Sequence, residues 1–553
     1  MALYSVLLTS LALTICAAAQ DAPQQASETT TTVLKPIVIG ANTFERRLLP
    51  NGLHAVAVKD DRSDMSIFIA VAAGTRQETE EITGLAHLTE HALFTGTPTT
   101  GTDVHEKTVD GWGGESNAFT RDDYTMYYDH AFPVEHMDLV LSMEADRLSN
   151  LSFEEKPVLH ERYRLKVEEK HSYRTADGRS EQLENAFFEQ HPYRHGLRSE
   201  EGHTKGPELS VEQIKGFYNT HYQADRFAVV VVGPMEPTVA LDAIEKAFGG
   251  LEGNAGVATV PAEMPTTKMR VKKIPSQLPR DRFVSCWLSP ALGHKDHAAM
   301  AVLSAMLGRE QLPSGEVLTV GMGGRVDSDI FQVGWSGSEE VTGEVALLLM
   351  SYRDGSVFED KGKAAILAEV KGLMVASHVN APLRARPYFS LAGTLAWYEV
   401  FGLGEALEGW GQAVEAVTQA DLQRVASTWL ELKRNTLIIF EGTGEAVAAL
   451  PSDVDGLYEA ASQASETGDY DRAIQAFTLM LATKPNRMNT VIYYYERGSL
   501  HLEMNDFDSA IGDFEAALLV VDYPAVRDAL EEAHARKKRA MRGEFESAES
   551  QEM

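Results

Sequence analysis

The sequence predicts an α+β protein in three parts. Strand- and helix-compatible segments interleave from Ile37 to Gly250, residues 268–448 repeat that style, and residues after 453 read as helix throughout. Between the first two parts, "GGLEGNAGVATVPAEMP" is rich in Gly, Ala and Pro, so residues 251–267 are assigned to an interdomain linker. The length of 553 residues suits about three domains, and 44% hydrophobic with 24% charged residues is ordinary for globular protein.

The chain opens with "MALYSVLLTSLALTICAAAQ", an apolar run ending in small residues, and residues 1–19 suit a secretory signal with an Ala-x-Ala cleavage site. The run is too short and too rich in small residues at its end for a typical membrane span. It carries no Lys or Arg, and Ile15 directly before Cys16 is unfavourable to lipoprotein processing. The expectation is an exported protein, periplasmic or secreted, or one held at a membrane by this segment. Removing it leaves Cys286 alone, which forbids an internal disulfide. Residues 20–36, polar and small, read as a flexible linker, with folding from about Ile37.

A formal charge of −31, spread along the chain, favours solubility and repels nucleic acid. It also suits attraction of cationic peptides. No Gly-rich phosphate loop or basic patch interleaved with aromatics is present, which argues against work on nucleic acid.

The stretch "GLAHLTEHALFTGT", residues 84–97, places His87, Glu90 and His91 at i, i+3 and i+4 of a helix-compatible run. Two neutral imidazoles one turn apart can hold one Zn²⁺, and a carboxylate beside the second can take a proton from the water that the metal activates. The order H-x-x-E-H is the inverzincin signature. With 17 His in 553 residues, composition alone predicts on the order of 0.04 such matches, so chance does not account for it.

A catalytic zinc needs a third protein ligand. "FEEKPVLHERYRLKVEEKHSY" reads as a helix with Pro157 near its first turn. Glu161 and Glu168 lie seven residues apart in it, on one face and roughly 10 Å apart along the axis. Either could ligate while the other stands behind it. The segment "SNAFT", residues 116–120, alternates as an edge strand would, and an extended peptide can add to such an edge through its backbone.

Over about residues 43–448 the sequence resembles the metallopeptidases of the pitrilysin, insulin-degrading enzyme and mitochondrial processing peptidase family. "GTRQETEEITGLAHLTEHALFTGT" resembles the family's zinc-motif region. "GGESNAFTRDDYTMYY" resembles its strand with Asn-Ala-x-Thr, and "HPYRHGLRSEEGHTKGPELSVEQIKGFYNTHYQADRFAVVVVGPMEP" resembles the close of its first domain. The resemblance implies two homologous mixed-sheet αβ domains, an active one at 37–250 and a degenerate, inactive one at 268–448. It implies His87, His91 and Glu168 as ligands of one Zn²⁺ per chain, Glu168 lying 77 positions after His91. Glu90 is then the general base, and Glu161 a group behind the ligands that orients the site or shares the proton. Glu169, about 100° round the helix, is the weaker alternative to Glu168. Asn117 would position substrate, with Ala118 and Phe119 contributing backbone. Many relatives carry an Arg and a Tyr in the degenerate copy that reach substrate. The matching region here, "GREQLPSGEVLTVGMGGRVDSDIFQVGW", lacks that spacing, and Arg309 and Arg325 each read as a surface charge.

The C-terminal part differs. Two segments match at an offset of 37, pairing Gly468 with Asn505, Tyr470 with Phe507, Ala473 with Ala510 and Phe477 with Phe514. Residues 453–541 therefore resemble tetratricopeptide repeats with a capping helix, ahead of a disordered tail at 542–553. The segment would either bind a protein partner or pack on the peptidase body.

The expected function is a zinc metalloendopeptidase acting on peptides or unfolded polypeptide. Relatives that enclose substrate use four such domains, so the resemblance implies a second chain, identical or a zinc-less relative. The alternative is a non-catalytic or partner-dependent scaffold that binds protein through its C-terminal segment.

Overall fold

The computed structural model describes residues 30–541 except 173–175, 196–208, 254–259, 277, 279, 338, 385–389, 443–449, 452, 467–469, 484, 505 and 522–523. Some helical side chains also lie outside the description, those of 166–172 and 176–179 included. The expected signal segment 1–19 and the expected tail 542–553 fall outside it.

The first half runs β1 (Thr32–Ile39), β2 (Asn42–Leu48), β3 (His54–Lys59), β4 (Asp64–Val71), α1 (Leu85–Ala92), α2 (Val104–Gly111), β5 (Glu115–Thr120) and β6 (Thr125–Pro133). It continues through α3 (Met137–Ser149), α4 (Glu155–Ser172), α5 (Ala176–Phe187), α6 (Val211–His221), β7 (Phe227–Gly233) and α7 (Pro237–Phe248). Among the described residues these strands form a seven-stranded mixed sheet, ordered β1-β2-β3-β7-β4-β6-β5. β7 reads Phe-Ala-Val-Val-Val-Val-Gly and every residue is buried, as a β-branched run covered on both faces should be. It pairs parallel to β3 and antiparallel to β4. Helix α6 starts at a reciprocal Ser210–Gln213 capping box, and α7 starts with Pro237 in its first turn.

The second half contains β8 (Arg270–Pro275), β9 (Arg282–Ser289), α8 (His297–Leu307), β10 (Thr319–Met322), β11 (Asp329–Ser336), α9 (Glu339–Asp354) and α10 (Gly362–Val379). Then follow α11 (Leu391–Val400), α12 (Gly404–Glu408), α13 (Trp410–Ala416), α14 (Gln419–Trp429) and β12 (Thr436–Glu441). Its five strands are ordered β10-β11-β9-β12-β8. The two halves are thus successive mixed-sheet αβ units.

Each sheet has one face covered by helices of its own half. Residues of α1, α3, α4, α6 and α7 bury Leu88, Val140, Val158, Phe217 and Ile244 against the first sheet. Helices α8, α9, α10 and α14 do the same for the second, around Leu303, Val345, Val370 and Val425. The opposite faces are exchanged. Leu391, Ala392, Leu395 and Ala396 of α11 close the first sheet over Phe68, Tyr128 and Val230. In return Leu183, Phe187, Phe188 and Tyr193 close the second over Val284, Ile330 and Phe440. Burying a Leu or Phe fully is worth about 1.5–3 kcal/mol, so each exchanged segment fastens its sheet to the other half. Buried ion pairs join them too. Arg46 meets Glu399 at 3.0 Å, and Arg384, with no exposed side-chain surface, meets Asp60 at 2.6 Å.

Three expectations are corrected here. Folding begins before Ile37, since β1 starts at Thr32 and Thr31 Oγ1 donates to Glu245 at 2.6 Å, so the end of the expected 20–36 linker is strand. The linker 251–267 is not wholly free: Glu263 is buried and accepts the backbone N–H groups of Glu189, Gln190 and His191 at 2.9–3.1 Å. The limits 37–250 and 268–448 also fail to divide the cores, because residues 183–193 belong to the second core and 391–407 to the first. An apolar helix face tells that something covers it, but not which sheet.

Beyond residue 453, α15 (Val454–Glu466), α16 (Tyr470–Ala482), α17 (Arg487–Glu503), α18 (Phe507–Val520) and α19 (Pro524–Met541) pack one on the next. Ala473 and Ala510 are fully buried, with Phe477 and Phe514 in the two cores beside them. Gly498 lets α17 approach α18, since a Cβ there would stand 2.8 Å from the Phe514 ring. Gly468 and Asn505 of the repeat match lie outside the described residues. Helix α19 also packs against α4. Among the described residues no helix is long and apolar enough to cross a membrane.

Candidate metal centre and substrate strand

Helix α1 is short, and its start is fixed from outside. Gly84 enters it with φ of 82°, a conformation glycine tolerates. The buried Glu78 carboxylate accepts Gly84 N–H at 2.9 Å and Ala86 N–H at 2.7 Å. Two donors of the first turn are thereby satisfied by a negative charge at the positive end of the helix. Leu85, Leu88 and Ala92 anchor one side in the core.

The other side carries the expected motif. His87 Nε2 and His91 Nε2 stand 3.3 Å apart, with Glu90 close enough for all three to serve one ion. Two nitrogens each about 2.0–2.1 Å from a tetrahedral zinc would be separated by about 3.3–3.4 Å, so the donors fit. Glu161 of α4 meets His91 Nδ1 at 3.0 Å. That carboxylate holds the proton on Nδ1 and leaves the Nε2 lone pair facing His87. Arg164 Nη1 donates to both oxygens of Glu161 at 3.0 and 3.1 Å. Burial by itself would raise the Glu161 carboxyl, but hydrogen bonds and charge from His91 and Arg164 hold it below its ordinary value. The structure therefore places Glu161 behind His91. The side chains of Glu168 and Glu169 lie outside the described residues; their backbone continues α4, which packs against α1.

β5 lies at the edge of the first sheet. Ser116, Ala118 and Thr120 face the helices, while Asn117 and Phe119 are half-buried on the opposite face. Ala118 N–H donates to Asn117 Oδ1 at 2.8 Å. Phe119 meets Tyr124 edge-on, and Tyr124 stacks on Trp397 of α11 at 5.3 Å between centroids. At the end of the strand Thr120 Oγ1 donates to Glu90 Oε2 at 2.6 Å.

The sequence does not single out Glu78, Thr120 or Arg164. Thr120 sits inside the quoted Asn-Ala-x-Thr segment, the one available signal. Glu78 and Arg164 act through contacts that no spacing rule announces.

Arg325 is not the surface charge expected of it. Its guanidinium meets Asp122 at 2.7 Å, Asp329 at 3.2 Å and also Glu184, and lies 5.4 Å from the centre of the Tyr193 ring. Val326 N–H reaches Asp123 at 3.2 Å, and Arg76 pairs with Asp327. This cluster ties the β10–β11 loop of the second half to the turn that follows the edge strand. Arg309, paired at 2.9 Å with Glu369, is exposed, as the sequence suggests.

A second group of three potential ligands among the described residues, His105, Asp129 and Glu144, is fully buried. It already contains its own cation: Arg147 Nε donates to Glu144 at 2.8 Å. Burial drives His105 down to about 4 and Glu144 up to about 7, so the group is a closed neutralised cluster.

Residues 55–200 match the family model described as insulinase (peptidase family M16), and 208–335 match that of the peptidase M16 inactive domain. A probable mitochondrial-processing peptidase subunit beta of Arabidopsis thaliana is 26% identical over 331 residues, 58% of this chain and 59% of that protein. Cytochrome b-c1 complex subunit 1 of Bos taurus is 25% identical over 263 residues, 47% of this chain and 54% of that one. The zinc protease YmxG of Bacillus subtilis is 26% identical over 328 residues, 58% and 73% of the two chains. The chain thus spans between half and three fifths of the length of the first two. A Helicobacter pylori protease structure superposes with a TM-score of 0.62 at 22% identity, over 73% of this chain and all of that one. Pitrilysin gives 0.61 at 18%, over 77% and 48%. Both likenesses concern the fold. With two consecutive family models matched and the mixed-sheet pair in place, the chain belongs to the M16 peptidase family.

Proposed function

We propose that this protein is a zinc-dependent endopeptidase that hydrolyses peptides or unfolded protein segments. The carrying observation is the pair of His87 and His91 Nε2 atoms 3.3 Å apart with Glu90 beside them. His87, His91 and Glu168 would hold one Zn²⁺, which when bound supplies a Lewis acid for the scissile carbonyl and lowers the pKa of water. Glu90 would take the proton of the attacking water and pass it to the leaving amine. Glu161 keeps the His91 ring turned and its tautomer fixed. The peptide would lie along β5 as an added strand, held at Asn117, Ala118 and Phe119 mainly through its backbone.

The test is a quenched-fluorescent peptide library cleaved by zinc-loaded protein. Glu90→Gln should reduce turnover by roughly 10²–10⁴-fold while metal content stays near one per chain. His91→Ala should lose both. A Glu90→Gln protein that cleaves at near wild-type rate defeats the mechanism.

A second reading, a partner-dependent or scaffold subunit, is supported by the likeness to a subunit of the cytochrome b-c1 complex and by the five C-terminal helices. In it, residues 453–541 act as tetratricopeptide-like repeats that hold a protein partner, and the second chain is an identical copy or a zinc-less relative. Light scattering on the full chain and on a form lacking 453–553 decides this. A full-length monomer that is fully active alone removes it. We also propose that the endopeptidase is exported to the periplasm or medium through residues 1–19, and N-terminal sequencing of the mature protein checks it.

A further inference from the structure

The β5–β6 hairpin does more than present an edge. Thr120 and Thr125 are paired across it, and both are buried, Thr125 completely. Their hydroxyl oxygens are 3.3 Å apart, but each hydroxyl has a single proton to give. Thr125 Oγ1 donates to Ala73 carbonyl oxygen at 2.8 Å. The Thr120 proton accordingly goes to its nearer acceptor, Glu90 Oε2 at 2.6 Å, a short bond to a carboxylate. Thr125 and its acceptor Ala73, two residues past the end of β4, are both fully buried, so the Thr125 hydroxyl is already committed.

We infer that Thr120 is the positioning residue of the general base: its hydroxyl pins Oε2 of the Glu90 carboxylate toward β5 and so fixes the orientation in which Glu90 would receive the proton of water. This rests on the peptidase reading above. It goes beyond that reading in joining base and substrate through one strand. Thr120 and Ala118 face the same side of β5, two residues or roughly 6.5–7 Å apart. A peptide registered on the backbone of Ala118 is therefore registered on Glu90 as well. The Thr120 hydroxyl fixes where the base stands relative to the scissile bond, and misplacing such a group by about 1 Å costs on the order of 10²-fold.

The experiment compares Thr120→Val, which keeps the shape and removes the hydroxyl, with Thr120→Ser, which keeps the hydroxyl. Full-length protein is loaded with zinc, and kcat, KM and metal content are measured on one quenched peptide. Thr120→Val should lower kcat roughly 10- to 100-fold with KM within about twofold and zinc retained, and Thr120→Ser should recover most of the rate. If Thr120→Val does not fold, Thr120→Ala against Thr120→Ser makes the same comparison. A wild-type kcat in the variant lacking the hydroxyl overturns the inference, as does equal impairment in Thr120→Ser, or loss of zinc in either. Wild-type protein that cleaves nothing overturns the peptidase reading and the inference with it; cleavage by wild type with Thr120→Val unchanged overturns the inference alone.

Discussion

Replacing Arg325 by Met should loosen the two halves in a way that depends on pH. The guanidinium is the shared counter-ion of Asp122, Asp329 and Glu184, and the Asp329 side chain has no exposed surface. Methionine fills much of the volume but leaves three acids facing one another. Removing one partner of a buried ion pair typically costs about 3–5 kcal/mol. At about 2.1 cal/mol/K per residue, a body of roughly 400 residues loses about 1 °C for each kcal/mol, so Tm should fall by about 4–6 °C at pH 8. At pH 5.5 the fall should be smaller. Burial already raises Glu184 and lifts Asp329 to about 6, with Arg325 opposing both. A carboxyl raised in the folded state lends stability below its unfolded pKa and loses it as pH climbs through the folded value. Without Arg325 both folded values rise further, so the acids are neutral at pH 5.5 and must be charged or strongly perturbed at pH 8. Differential scanning calorimetry at the two pH values is the assay, with Arg325→Lys as a control that should recover little of a forked, three-acid site. A fall under 1 °C at pH 8, or a larger fall at pH 5.5, would mean that Arg325 is a solvated charge after all.

Two further perturbations test separate parts. Glu161→Gln removes the charge behind His91 while keeping its shape, and zinc affinity measured by competition with a chelator should weaken roughly 10- to 100-fold; an unchanged affinity would show that His91 needs no partner at Nδ1. Gly498→Ala should destabilise the C-terminal helices by about 1–2 kcal/mol despite the better helix former, because the new Cβ would stand 2.8 Å from the Phe514 ring. Proteolysis of residues 453–541 at lower temperature than wild type is the readout, and equal resistance would contradict the close approach of α17 and α18.

The parts of the site legible in the sequence are those whose geometry is local. His87, Glu90 and His91 follow from helical spacing alone, and Pro157 stands in the first turn of α4, where the sequence puts it. The alternation of "SNAFT" reads directly as a strand with two faces. What spacing cannot supply is the partner of a side chain. Arg325 looks like any charge in a Gly-rich loop, yet Asp122 and Glu184, more than a hundred residues earlier in the chain, make it an interior residue. Glu78 is one acid among several before the motif, and only the folded chain sets it on the first turn of α1. The exchanged helices fail for the same reason. Leu391, Leu395 and Ala396 announce a buried face, but the sheet they bury was chosen by topology, not by period.

That exchange gives the second half a part in the site although it carries no recognisable zinc motif. Among the described residues β5 is an edge, hydrogen-bonded to β6 alone, and a lone edge is the most deformable element of a sheet. Here it is held at the turn end of its hairpin. Thr120 is fastened to Glu90 on helix α1, and the turn beyond it is fastened through Asp122 and Asp123 to Arg325 and Val326 of the second half. Behind the turn, Tyr124 stacks on Trp397 of the exchanged helix α11. On the proposed reading, a peptide adding to β5 would meet a strand whose position is set by helix α1 on one side and by the second half on the other. On that reading, a second half without chemistry of its own would still be retained, because removing it would unfasten the strand along which substrate is proposed to lie.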